Sequence, residues 1–186
     1  MELEGKNVVV LGLGASGLAA AALLAGQGAR VTARDEAVQL AGDGGRRLEE
    51  LARRGVAIEL GAAAAGRANR FDLGIVSPGV DPARPFVAAV CEAGTPLWSE
   101  LELGWRFCRC PVVAITGTNG KTTTTAMTAL LVERAGKRVA MAGNIGPALL
   151  DVLAAKLSDS EQALPEVWVL ELSSFQLEGG GTGVRS

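Results

Sequence analysis

Apolar residues along this chain fall into short unbroken runs, separated by glycine-rich turns and by longer stretches with helical spacing. The first run is Asn7-Val8-Val9-Val10-Leu11. It has no polar alternation, which suits a strand covered on both faces. Gly12 to Gly17 then turns the chain into an Ala/Leu-rich helix that should stop near Gly26 or Gly28. Arg30 to Ala33 reads as a second strand, and residues 46–53 as a helix with Leu48 and Leu51 on one side and charges on the other. Val56 to Glu59 and Asp72 to Val76 follow as short strands, then a helix from about Arg84 to Ala93 and a last strand at Pro96 to Trp98. Strand and helix alternate with short connections, which predicts a parallel, doubly wound sheet.

Ser99 to Cys110 reads as a connecting helix. Ser99 can cap it, Glu100 and Glu102 lie near its positive end, and Pro111 stops it. The pattern then starts afresh. Val112 to Thr116 is expected as another buried strand, followed by a helix to about Ala135 and a strand at Arg138 to Met141. Gly143-Asn144-Ile145-Gly146 is a tight turn, and Pro147 suits the first turn of a helix running to about Leu157. Glu166 to Leu172 is the third strand of this second unit, and the chain closes on a glycine-rich tail, residues 179–186.

Composition narrows the chemistry. Hydrophobic residues make up 48% and charged residues 20%, enough for a globular core. Aromatics are only 4% and Tyr is absent, so the core is expected to consist of Val, Leu, Ile and Ala. A formal net charge of −2 argues against nucleic acid or an anionic membrane as a bulk electrostatic partner. There is no His, which removes the commonest general base and zinc ligand. Cys91, Cys108 and Cys110 lack zinc-ligand spacing and are read as reduced thiols. Met1-Glu2-Leu3-Glu4 has no signal-peptide pattern and no uncharged run reaches transmembrane length, so a cytoplasmic setting is expected.

Two glycine turns carry the candidate chemistry. Thr116-Gly117-Thr118-Asn119-Gly120-Lys121-Thr122-Thr123 joins a strand to a helix. Amide N–H groups, a helix N-terminus and a lysine are what a triphosphate requires. Gly117 and Gly120 let the backbone approach phosphate oxygens, Lys121 would reach the β and γ phosphates, and Thr122 would place its hydroxyl on Mg²⁺. The usual phosphate-loop pattern has a further glycine where this chain has Ile115, so this is a shortened variant. Glu171, ending a hydrophobic strand, is the candidate magnesium carboxylate; the plainer alternative is a solvated strand-end acid. ATP and Mg²⁺ are the implied ligands.

Upstream, Gly12-Leu13-Gly14-Ala15-Ser16-Gly17 with Asp35 matches a dinucleotide fingerprint. Such a turn accepts any diphosphate at a helix N-terminus, so a UDP-linked substrate fits it as well as NAD does. Ser77-Pro78-Gly79 follows another buried strand and would reach the same sheet edge, as a ligand contact or as an ordinary turn. A nicotinamide-dependent oxidoreductase and a non-catalytic nucleotide-binding module remain alternatives. The first leaves the second glycine turn unexplained and finds no His or Tyr to act as acid.

Gly117-Thr118-Asn119-Gly120-Lys121-Thr122-Thr123-Thr124, Gly143 to Gly146 and Glu171-Leu172-Ser173-Ser174-Phe175-Gln176-Leu177 together resemble three successive motifs of the Mur ligases of peptidoglycan synthesis. Asn119, where alanine-adding members typically have His, and the Glu171 to Leu177 segment resemble the D-glutamate-adding members. The resemblance covers residues 1 to about 178. It implies an α/β architecture: a Rossmann-like, UDP-substrate-binding unit at residues 1–98 and a partial P-loop-type, ATP-binding unit at residues 99–186. It also implies ATP-dependent ligation of D-glutamate to UDP-N-acetylmuramoyl-L-alanine through an acyl phosphate, by an enzyme that is monomeric when full length. Gly14, Ala15, Ser16, Gly17, Asp35, Glu36, Ser77, Pro78, Gly79 and Asn144 would then hold the UDP-substrate. Gly117 to Thr123 would hold ATP, Thr122 and Glu171 the metal, and Lys121 and Glu171 would be catalytic. The family pattern normally continues past Glu178 with more central domain and a third domain. The chain is therefore expected to be an N-terminal fragment that does not ligate unaided, with an open sheet edge in its second unit.

Overall fold

A computed structural model describes residues 2–40, 42–61, 70–81, 83–108, 110–143, 149–158 and 164–173. The first sheet is built from β1 (Asn7–Leu11), β2 (Arg30–Asp35), β3 (Ala57–Leu60), β4 (Leu73–Val76) and β5 (Leu97–Ser99). All neighbours are parallel, in the order β3-β2-β1-β4-β5. Helices α1 (Ala15–Gly26), α2 (Gly44–Arg53) and α3 (Pro85–Glu92) connect them. The central strand β1 has Val8 to Leu11 fully buried, as its unbroken apolar run requires. Val8 and Val10 face a core shared with α1 and α2, whereas Val9 and Leu11 face Phe71, Phe86, Val87 and Val90.

β2 runs two residues beyond the expected Ala33. Arg34 is completely buried there because Glu59, opposite it on β3, accepts from its Nε at 2.5 Å and the Phe71 ring lies beneath its guanidinium. Ser99 ends β5 and also caps α4 (Glu100–Phe107), its Oγ accepting from the Glu102 amide at 3.1 Å. The cap is where the sequence put it. The helix end is not: it stops at Phe107, with Cys108 already extended, well before Pro111.

The second sheet has β6 (Val112–Ile115), β7 (Val139–Gly143) and β8 (Val167–Glu171), again parallel, in the order β6-β8-β7. The helices α5 (Lys121–Arg134) and α6 (Leu149–Ser158) belong to it. The expected burial of β6 is corrected: Val113 and Ala114 are exposed. Among the described residues β6 pairs with β8 alone, so an edge strand, however apolar, keeps one side open. Met127, Leu130, Leu131 and Met141 are exposed on the same unit.

One apolar core joins the two sheets. Leu149, Leu150 and Leu153 of α6 sit in the cluster that contains Leu18 and Ala21 of α1, Leu103 of α4 and Trp168 and Leu170 of β8. Trp168 is among the largest fully buried side chains, so the core is not confined to Val, Leu, Ile and Ala. A methyl group on Gly104 would overlap Leu149, which is why α4 and α6 approach so closely there. Arg47 of α2 also pairs with Asp151 of α6 at 2.9 Å.

Candidate functional site

The strand order of the first sheet reverses direction between β1 and β4, and ligands of such sheets bind in the crevice outside the carboxyl ends at that point. Gly12 to Gly17 follows β1 and Ser77 to Gly79 follows β4, so the two predicted segments meet there. Ser77 braces the glycine turn. Its Oγ donates to the Gly12 carbonyl at 2.7 Å and its amide to the Leu11 carbonyl at 2.9 Å, with the side chain buried. A methyl group on Gly17 would overlap that Gly12 carbonyl, and Gly12 has φ +88° with Val80 packed against it. Asp35 clamps the turn from β2, accepting from the Leu13 amide at 2.6 Å and the Ala37 amide at 2.8 Å.

The ligand-facing side of this turn is open. Gly14 occupies the N-cap of α1 without a side-chain cap, and nothing lies within 4 Å of where its Cβ would be. Ala15 is exposed and Ser16 half-buried on the first helical turn. An uncapped helix N-terminus with room in front of it is suited to a diphosphate. Glu36 lies beside the turn and pairs with Arg84 at 2.6 Å, while Pro78 and Gly79 are exposed at its rim.

In the second sheet Ile115, Glu171 and Gly143 end three strands in register. Residues 116–120 are exposed. Gly120 is the N-cap of α5 in the left-handed region, φ +76°, and Gly117 has φ +145°; the space beside both is empty within 4 Å. The Lys121 ammonium donates to the Gly117 carbonyl at 2.7 Å and the Thr118 carbonyl at 3.5 Å, held by its own loop. Thr122 and Thr123 are exposed on the first turn of α5. Glu171 is 2% exposed, so it is no solvated strand-end acid. An uncovered left-handed glycine cradle, a lysine and a buried carboxylate on the neighbouring strand end form a donor set that fits a magnesium-bound triphosphate. Asn144 lies outside the described residues.

Where the first turn of α1 meets α4, α6 and the ends of β7 and β8 is a cavity of about 40 Å³, lined by Ser16, Glu100, Leu101, Gly143, Leu149, Leu170 and Leu172. Glu100 is 6% exposed. Burial raises its carboxyl above the usual carboxylate range, a hydrogen bond from Ser16 partly offsets this, and the charge of Asp151 adds to the rise. From sequence alone Glu100 is no more than an acid near a helix end. The available signal was its spacing three and four residues before Leu103 and Gly104, which puts it on the buried face of α4. Thr125, which buries its hydroxyl in α5, also went unread. Burial pushes the Cys108 thiol up to about 12, with Cys110 adding to the rise, so Cys108 is a poor thiolate.

Residues 6–99 match the N-terminal domain of MurD-like Mur ligases, and residues 115–183 match the Mur ligase middle domain. The chain belongs to the Mur ligase family. It is 46% identical over 191 residues to the UDP-N-acetylmuramoylalanine–D-glutamate ligase of Burkholderia multivorans, and 46% over 189 residues to that of Paraburkholderia xenovorans. Each alignment covers 94% of this chain, which spans 36% of the length of these curated relatives. Solved Mur-type structures share the fold. A murein peptide ligase from Psychrobacter arcticus superposes with a TM-score of 0.52 at 22% identity, over 91% of this chain and 37% of that one. The UDP-N-acetylmuramate:L-alanyl-γ-D-glutamyl-meso-diaminopimelate ligase from Neisseria meningitides gives 0.51 at 24%, over 90% and 52%. Membership in the Mur ligase family disfavours the nicotinamide reading of the first turn. Among the described residues no helix of this Mur ligase chain is long and apolar enough to cross a membrane.

Proposed function

We propose that this chain carries the UDP-substrate site and the ATP site of a ligase that joins D-glutamate to UDP-N-acetylmuramoyl-L-alanine. The observation that carries the reading is the presence in one chain of a braced glycine turn with an uncapped helix N-terminus and a second, open glycine turn with Lys121 and the buried Glu171 at the neighbouring strand end. Residues 1–98 would hold the UDP-substrate through Gly14 to Gly17, Asp35, Glu36 and Ser77 to Gly79, with Asn144 reaching it from residues 99–186. Residues 117–123 would hold ATP.

In the reaction this implies, the alanine carboxylate of the UDP-substrate takes the γ-phosphoryl group of ATP, and the amine of D-glutamate then displaces phosphate. Charge neutralisation is the main demand of such a transfer. Lys121 meets it by exchanging the Gly117 and Thr118 carbonyls for phosphate oxygens. Thr122 and Glu171 would hold Mg²⁺, which supplies Lewis-acid neutralisation when bound. Dependence on ATP carries a cytoplasmic setting with it.

Separate calorimetric titrations with UDP-N-acetylmuramoyl-L-alanine and Mg-ATP test this. Both are expected to bind the 186-residue chain. Binding of NADH with none of the UDP-substrate would overturn the assignment of the first turn.

A further inference from the structure

The first glycine turn has no cation of its own. Gly12 to Gly17 contains no Lys or Arg, whereas the second turn carries Lys121. Carboxylates stand at the same sheet edge instead. Asp35 accepts from the Leu13 and Ala37 amides with one oxygen each, Glu36 follows it, and Asp81 accepts from the Ala83 amide at 2.8 Å. A diphosphate brings negative charge on each phosphate, and a helix N-terminus offsets only about half a charge. Binding one here calls for a cation from elsewhere in the fold.

Arg84 is placed to supply it. Arg84 lies in the segment after β4 and Glu36 in the segment after β2, and these strands flank β1 on either side. Neighbouring strands are about 4.8 Å apart, so a link between the two segments spans about 10 Å of sheet edge, across the end of β1. That link is made: Arg84 Nη1 donates to Glu36 Oε2 at 2.6 Å. Local sequence fixes the approach. Pro85 disfavours helix at Arg84, which has φ −60° and ψ 135°, and the Arg84 amide donates to the Asp81 carbonyl at 3.0 Å. Glu36 takes only one corner of the guanidinium. Nε and Nη2, whose N–H bonds run parallel and suit two phosphate oxygens, have no partner among the described residues. The side chain is 57% exposed, so that edge is open to a ligand.

We propose that Arg84 is a binding residue for the diphosphate, clasping two phosphate oxygens through Nε and Nη2 while Glu36 holds Nη1. This rests on the reading of the first turn as the UDP-substrate site. It goes further in assigning the charge complement of that site to a residue outside both glycine turns. The competing role is a brace, an ion pair that does no more than tie the two segments together. The two roles differ in what the charge on Glu36 contributes. Glu36→Gln keeps an oxygen for Nη1 and removes a negative charge from the crevice, which favours a bound diphosphate, whereas a brace loses its ion pair.

The test is calorimetric titration of the 186-residue chain, Arg84→Ala, Glu36→Gln and the double variant with UDP-N-acetylmuramoyl-L-alanine, with Mg-ATP binding and thermal unfolding as controls. Arg84→Ala is expected to weaken the UDP-substrate by about tenfold, the low end for a hydrogen bond to a charged group. Mg-ATP affinity and the unfolding midpoint should stay as in the wild type. Glu36→Gln is expected to bind the UDP-substrate as tightly as the wild type or tighter, and adding Arg84→Ala to it should again cost about tenfold. The proposal is overturned if Arg84→Ala binds the UDP-substrate like the wild type, or if Mg-ATP weakens equally. It is also overturned if Glu36→Gln alone weakens the UDP-substrate as much as Arg84→Ala, with no further loss in the double variant, which is the result a brace gives. A wild-type chain that binds Mg-ATP but no UDP-substrate overturns the reading of the turn itself, and this inference with it.

Discussion

The two glycine turns of this chain occupy equivalent places, each between a parallel strand and a helix, yet they are built in opposite ways. The turn after β1 is locked by its own protein. Ser77 bonds to the Gly12 carbonyl, Asp35 holds the Leu13 amide, and Gly17 has no room for a methyl group. Among the described residues the turn after β6 has no such scaffold. Among the described residues nothing lies within 4 Å of a built Cβ at Gly117 or Gly120, and Lys121 bonds to carbonyls of its own loop. The first turn is thus preorganised before any ligand arrives. The second keeps the room and the donors that a highly charged ligand would organise. Their settings match: β1 is central in a five-stranded sheet, whereas β6 is half-exposed at the edge of a three-stranded one.

The largest effect expected from this contrast is at Gly17. Gly17→Ala drives a methyl group into the Gly12 carbonyl and against the Ser77 Oγ, backbone and brace together. Neither is the flexible end of a long side chain, so relief requires α1 to shift away from β1. Overpacking of this kind costs about 3 kcal/mol, to be read as a loss of stability in urea unfolding. UDP-substrate binding should disappear in the same variant. If Gly17→Ala unfolds like the wild type, the first turn is not locked by Gly12 and Ser77.

Lys121 comes next, with an effect confined to one ligand. Its ammonium is held by two exposed loop carbonyls, which water can satisfy in its absence, so Lys121→Ala should leave stability nearly unchanged. A charge-assisted contact with phosphate is worth about 2 kcal/mol. Mg-ATP affinity is therefore expected to fall about 30-fold while the UDP-substrate binds as before. Loss of both ligands together would mean that the two turns are not independent sites.

The same contrast explains which parts of the molecule could be read from the sequence. β1 was legible to the residue, because Val8 to Leu11 is buried on both faces and an unbroken apolar run has no other good use in a soluble sheet. β2 was read two residues short, since Arg34 and Asp35 look like the start of a loop until Glu59 and the Leu13 amide are seen to partner them. β6 carries the same apolar signature as β1, but strand order decides how much of a strand is covered, and local pattern holds no record of strand order. Glu100 was hidden for a related reason. Its charge suggests solvent, and only the packing of α4 against α6 and the second sheet encloses it. Of the candidate site residues, the two glycine turns and Glu171 stand out in the sequence because the phosphate chemistry proposed for them calls for those residue types in that order. The brace by Ser77 depends on which strands are neighbours, so it emerges only in three dimensions.

The smallest effect separates conformation from packing within the second turn. Gly120 has φ +76° and nothing within 4 Å of a built Cβ, so Gly120→Ala meets no clash and costs only the left-handed conformation. That is worth about 1 kcal/mol, roughly a third of the expected cost at Gly17, where the loss comes from overlap. Gly120→Asn should recover part of it, because asparagine tolerates the left-handed region better than alanine does. Urea unfolding of the three variants side by side decides the matter. A Gly120→Ala loss equal to that of Gly17→Ala would show that the second turn is as tightly enclosed as the first, and the distinction between a locked turn and an open one would fall.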